Sequence, residues 1–159
     1  MPTLPQLLEE DIQRLDDVLR NFLERSDAVT ALVIDKGGFL LTHQGDSRQF
    51  DLTTIAALAS GAYLANQTIA NLVNEPNFDS VYQQGDAMSM LVTNVDEHCL
   101  LLVIFKAQIG VGVVKYYATP ARKQIAAQLV LAQERDPEGG LDLSVLNVAD
   151  TSTLFRRKD

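Results

Sequence analysis

Apolar residues at Leu8, Ile12, Leu15, Leu19 and Phe22 recur at spacings of four and three, while Glu9, Glu10, Arg14, Asp16, Asp17 and Arg20 fill the opposite side. That period predicts an amphipathic helix over residues 7–25. Ser26-Asp27 ends it, and residues 28–34 (AVTALVI) have the β-branched content and length of a strand. Asp35-Lys36-Gly37-Gly38 can supply the positive φ angles of a tight turn, so residues 39–43 should return antiparallel as a hairpin.

After a polar loop at residues 45–49, Asp51 is placed to cap a helix over residues 52–74. At 100° per residue, Ile55, Leu58, Ala59, Ala62, Ala65, Ile69, Leu72 and Val73 fall on one side of it, rich in small residues that permit close approach. Asn66 falls there too and needs a partner. The opposite side carries Ser60, Gln67, Thr68 and Asn71, with Leu64 at its centre and Ala57 beside it. An apolar residue in the middle of a polar side is the kind of small patch that marks a protein contact, although single exposed leucines are common.

Pro76 stops the helix, and residues 78–84, 88–95 and 98–105 read as three successive strands joined by turns at Gly85-Asp86 and Asp96-Glu97. The last is apolar almost throughout, as a strand covered on both faces would be. The short strand at residues 78–84 would leave an edge that another copy of the chain can extend. Residues 107–135 predict a final helix with Val113, Val114, Tyr117, Ala121, Ile125 and Leu129 advancing by threes and fours, bent or divided at Pro120. Residues 1–135 are thus expected to form one domain. Residues 136–159 are expected to be a linker, Asp-Pro-Glu-Gly-Gly, and a mobile tail too short for its own core. The order implies an α+β fold, a three-layer α/β/α sandwich: a five-stranded antiparallel sheet with the middle helix on one face and the two terminal helices on the other.

Composition narrows the function. Apolar residues make up 47% and charged residues 21% of the 159, the usage of an ordinary globular domain. The net charge of −8 has the wrong sign for neutralising phosphates, so nucleic acid is not expected as a partner. The chain starts without a positively charged, apolar leader, its longest apolar run is far too short for a membrane span, and its one cysteine cannot form an internal disulfide. A cytoplasmic protein without membrane insertion is the expectation. The sequon Asn66-Gln67-Thr68 is then a chance match.

No catalytic constellation emerges. The two histidines, His43 and His98, both fall on predicted strands, and Cys99 should point to the face opposite His98 because neighbouring strand residues alternate. No metal-ligand spacing accompanies them. Gly110-Val111-Gly112 follows a strand and opens a helix, but Lys115 stands where a dinucleotide fingerprint has its third glycine, and no parallel strand follows. The structural alternative is that these glycines let the helix start pack closely on the sheet. Arg48 could reach a partner's nucleotide as an arginine finger, or simply be a solvated loop arginine. No cofactor, metal or catalytic residue is expected, and the chain reads as a non-enzymatic binding module.

The runs ALVIDKGGFLLT from Ala31, LASGAYLAN from Leu58, VYQQG from Val81 and LLVIF from Leu101 resemble the roadblock (dynein light chain) domain family, in particular its bacterial gliding-polarity, MglB-type branch. The resemblance spans residues 7–135. It implies a homodimer in which sheets join edge to edge and the middle helices lie together, and a regulator of an MglA-type Ras-like small GTPase in cell polarity and gliding motility. Such a dimer promotes GTP hydrolysis by reordering the partner's own switch loops, with no inserted arginine. The resemblance puts Leu64 and Thr68 at the GTPase contact, to which Ala57, Ser60, Gln67 and Asn71 are added from the same helix side. The tail residues Leu141, Leu143, Leu146, Leu154 and Phe155 look like a family segment that can add a second contact. A dimeric scaffold for polarity or membrane-associated proteins, without effect on GTP turnover, is the alternative.

Overall fold

The strands whose sequences are apolar on both sides lie at the centre of the sheet. The computed structural model describes residues 4–135; in it β1 (Thr30–Asp35) is buried throughout and β5 (Cys99–Lys106) everywhere except Lys106. The two pair antiparallel, Thr30 opposite Ile104 and Asp35 opposite Cys99. β2 (Leu40–Gly45) flanks β1, β4 (Met88–Asn94) flanks β5, and β3 (Ser80–Gln84) lies beyond β4. The order β2-β1-β5-β4-β3, antiparallel at every step, is the expected five-stranded sheet, with the hairpin and the meander joined through β1 and β5. β3 is left as an edge.

Because successive strand residues point to opposite faces, β5 feeds two cores. Leu101, Val103 and Phe105, together with Val33 and Leu91, meet Leu15, Leu19 and Phe22 of α1 (Glu9–Ser26) and Val114, Ile125 and Leu129 of α3 (Val111–Arg135). Leu100, Leu102 and Ile104, with Leu32, Ile34 and Val92, meet α2 (Leu52–Leu72) on the other side. The three-layer sandwich, one helix opposite two, follows from this alternation.

Polar contacts set the edges of these layers. Asp11, fully buried, accepts hydrogen bonds from the Leu8 backbone N–H (2.7 Å), Gln128 Nε2 (2.7 Å) and both terminal nitrogens of Arg135 (2.8 and 2.9 Å), which clamps the start of α1 to the end of α3. The Arg135 guanidinium holds the Asp11 carboxyl well below the usual carboxylate range, against the opposing effect of burial. Arg122 of α3 likewise grips Asp79, just before β3, with two hydrogen bonds of 2.8 and 2.9 Å, and donates through Nε to the Asn94 carbonyl at the end of β4 (2.6 Å). The edge strand is thus tied to the far helix layer.

Several sequence expectations shift. β5 begins at Cys99, so His98 belongs to the preceding turn, where its backbone N–H donates to Asp96 Oδ1. α3 starts at Val111 and runs as one helix through Pro120, without division. Gly110 and Gly112 do not serve close packing, because a Cβ built on either meets nothing within 4 Å. The expected linker and tail, residues 136–159, lie outside the described residues.

One glycine is required by position. Gly45 at the end of β2 has φ +100°, and a Cβ there would sit 2.3 Å from the Val29 carbonyl oxygen. Gly45→Ala should cost about 2 kcal/mol through backbone strain and clash, read as a lowered midpoint of urea unfolding.

Candidate docking site on the middle helix

α2 opens at Asp51, whose side chain accepts the Thr54 hydroxyl hydrogen (2.7 Å) and backbone N–H (3.2 Å); these bonds hold its carboxyl below the ordinary range. From there to Leu72 the helix contains no charged residue, in a chain whose net charge is −8. An uncharged helix is normally surrounded by protein. This one buries only the side formed by Leu52, Ala56, Ala59, Ser60, Tyr63 and Ala70.

The buried side is not the expected one. Leu58, Ile69 and Leu72, read from periodicity as part of one apolar side with Ala59, are 69%, 48% and 78% exposed. The reason lies in the sheet, whose α2-facing strands already supply Leu32, Ile34, Leu100, Leu102 and Ile104. The helix meets these large side chains with Ala56 and Ala59 at its middle, and its larger contributions are Leu52 and Tyr63; large against small is how layers interdigitate. Lys36 Nζ, from the β1–β2 turn, lies 5.8 Å from the Tyr63 ring centroid. Asn66 finds its partner within the helix, donating to the Ala62 carbonyl (3.0 Å).

Burying that side leaves two outward strips, because residues at 100° steps fall into three sectors. The first contains Ala57, Leu64, Thr68 and Asn71, all exposed, Leu64 by 48%. These are four of the six candidate contact residues. The other two do not join them. Ser60 is buried, its hydroxyl donating to the Lys36 carbonyl (2.5 Å), and Gln67 is half-buried, with Nε2 donating to the Phe78 carbonyl (3.2 Å). Both lie nearer the core sector than the sequence suggested; Ser60 holds the β1–β2 turn and Gln67 the loop after α2. The tip of the hairpin approaches this strip: Gly38, at φ +101°, brings its backbone so near that a Cβ would lie 3.3 Å from Ala57 Cα.

The second strip was not read as a surface from sequence. Ile55, Leu58, Ala62, Ala65, Ile69 and Leu72 follow spacings of 3, 4, 3, 4 and 3, the seam of a helix that packs against another helix. This sustained alternation was the available signal. Between the seam and the sheet edge, Leu58, Ala62, Val81, Met90 and Val92 line an open apolar cleft of about 280 Å³. β3 runs beside it with one long side unpaired.

The residues weighed for chemistry remain apart. Cys99 is buried, and burial pushes its thiol far above the ordinary range. His98 has Nε2 3.3 Å from Glu97 Oε1, and among the described residues no three His, Cys, Asp or Glu side chains gather to hold a metal ion. Arg48 is paired to Asp46 through Nε (3.0 Å) and Nη2 (2.9 Å), and that pairing holds the Asp46 carboxyl low, at about 2. No described helix is long and apolar enough to cross a membrane.

The Roadblock/LC7 domain pattern matches residues 14–105, which takes in most of α1, α2 and all but the last residue of the sheet. The chain belongs to the Roadblock/LC7 family. Solved structures agree. An MglB with a tetrameric arrangement is 29% identical over 83% of this chain and 99% of its own, with a TM-score of 0.77. The gliding protein MglB of Thermus thermophilus is also 29% identical, over 82% and 99%, with a TM-score of 0.75. MglB of Myxococcus xanthus, at 24% identity over 80% and 96%, shares the fold with a TM-score of 0.74. No curated protein matches the sequence. The family resemblance seen in the sequence is therefore correct, and this roadblock domain is related to proteins of gliding motility.

Proposed function

We propose that this roadblock protein is a cytoplasmic homodimer that binds an MglA-type Ras-like small GTPase and stimulates its GTP hydrolysis without contributing a catalytic group. The observation that carries the reading is the uncharged α2 with two separate outward strips. A dimer through the apolar seam and the β3 edges hides one strip and leaves the other, Ala57, Leu64, Thr68 and Asn71, open to a second protein. Under two-fold symmetry each strip occurs twice, and the pair forms one platform. Such a platform acts on a GTPase by differential binding: it stabilises the arrangement of the partner's switch segments in which the attacking water is positioned, so the partner's own residues do the chemistry. Arg48, on the loop after β2 and held by Asp46, is not assigned the role of a finger.

Single-turnover GTP hydrolysis by the cognate GTPase, with and without the protein, tests this. Acceleration is expected. Binding without acceleration would make the protein a dimeric scaffold. Leu64→Arg should weaken GTPase binding by at least ~2 kcal/mol, the scale of an interface hot spot, while the dimer persists in sedimentation; wild-type affinity in that variant would remove Leu64 from the site. Arg48→Ala should leave the acceleration intact.

A further inference from the structure

On the face opposite α2, the antiparallel run of α1 and α3 leaves a continuous groove. Its wider part, about 670 Å³, is floored by Phe22 and Ala121 and walled by Tyr116 and Pro120; its other part, about 400 Å³, reaches Leu131. The two parts share Val18, Asn21 and Gln124. The α3 wall sets Tyr116, Pro120 and Leu131 among Thr119, Gln124 and Gln128 and is open to solvent, with Tyr116 73% and Leu131 55% exposed. The α1 rim is polar and carries Arg14 and Arg25, with Asp17 between them. From Tyr116 to Leu131 the groove is about 22 Å long, at the 1.5 Å rise of a helix.

We propose that residues 141–155 of the same chain occupy this groove. The groove's near end lies one helical turn before Arg135, and the clamp of Arg135 on Asp11 fixes the end of α3 beside α1. Chain leaving that clamp therefore starts at the mouth of the groove. Residues 136–140, Asp-Pro-Glu-Gly-Gly, span up to about 16 Å, enough to reverse direction and enter at Leu131. The segment that follows is rich in what the α3 wall accepts, with Leu141, Leu143, Leu146, Leu154 and Phe155, and its Asp142 and Asp150 complement Arg14 and Arg25 on the rim. The covalent tether supplies an effective concentration in the millimolar range, so a weak contact suffices to keep the groove filled. This inference depends on neither the GTPase nor hydrolysis.

Paramagnetic NMR on the full chain tests it. Ser152→Cys accepts a nitroxide label, while the buried Cys99 does not react. In the isotope-labelled protein, amides of Asn21, Tyr116 and Gln124 should lose more than half their intensity, whereas Leu64 and Thr68 should keep theirs. Leu131→Asp, at an exposed position, should restore the lost signals. Uniform broadening, or broadening centred on α2, would overturn the proposal. So would broadening in a mixture where nitroxide and isotope reside on different chains, since that assigns the groove to a second copy's tail.

Discussion

In the proposed homodimer, Leu58→Asp should convert dimer to monomer while each protomer stays folded. Leu58 is 69% exposed in the protomer, touches the apolar cleft beside β3, and lies on the 3-4 seam of α2, so a charge there disturbs no core contact. In a two-fold dimer the substitution appears twice, and each buried, unpaired carboxylate loses at least ~2 kcal/mol, about 4 kcal/mol in all. A micromolar or weaker dimer then dissociates at any practical concentration. Sedimentation equilibrium reads the mass and far-ultraviolet circular dichroism reads the fold. A variant that remains dimeric would place the interface elsewhere, and would withdraw the assignment of the Leu64 strip as the remaining open surface. Paired with Leu64→Arg, the two substitutions should separate assembly from GTPase binding on one helix.

The second large effect concerns stability. Asp11→Ala should lower unfolding free energy by about 3 kcal/mol, a fall in melting temperature on the order of 10 °C for a chain of this size. Asp11 is fully buried and accepts from Leu8, Gln128 and Arg135 at once, so truncation removes the shared acceptor of all three residues and leaves Arg135 only its longer contact with Glu10 (3.3 Å). The exposed pair of Arg20 with Asp17 is the contrast: Asp17→Ala should change stability by less than about 0.5 kcal/mol. The pH dependence has a definite sign. The folded Asp11 carboxyl lies below its ordinary value because of Arg135. The wild-type protein therefore binds fewer protons folded than unfolded in the acid range, and the contribution is fully present above the unfolded value near ~3.9. It is lost progressively as pH falls below that value. Asp11→Ala should flatten this acid limb of the stability curve, and an unchanged limb would assign it to other carboxylates.

The exposed strip of α2 was legible in part, and the residues that fall outside it are instructive. Leu64 was visible because an aliphatic residue stood among Ser, Gln, Thr and Asn, and Ala57, Thr68 and Asn71 share its exposed sector. Ser60 and Gln67 looked equally surface-bound from composition. Their hydrogen bonds run to the carbonyls of Lys36 and Phe78, residues 24 and 11 positions away, and a pattern of side chains carries no information about which distant carbonyl lacks a donor. That β3 lies at the edge of the sheet was readable from its shortness. The groove between α1 and α3 was not, since it depends on how far apart two helices settle on a common sheet.

By itself, the sequence determined the eight elements, an antiparallel sheet and the division of the helices between two faces, because periods of 3.6 and 2 and the turn residues act locally; the pairing of β1 with β5 that joins hairpin to meander came from the tertiary structure. Only the tertiary structure decided how α2 is rotated. That helix has apolar residues in more than one sector, so its periodicity does not select a single orientation. The choice fell to volume: strands with leucine and isoleucine on that face admit Ala56 and Ala59 against them, and the larger Leu58, Ile69 and Leu72 are turned outward.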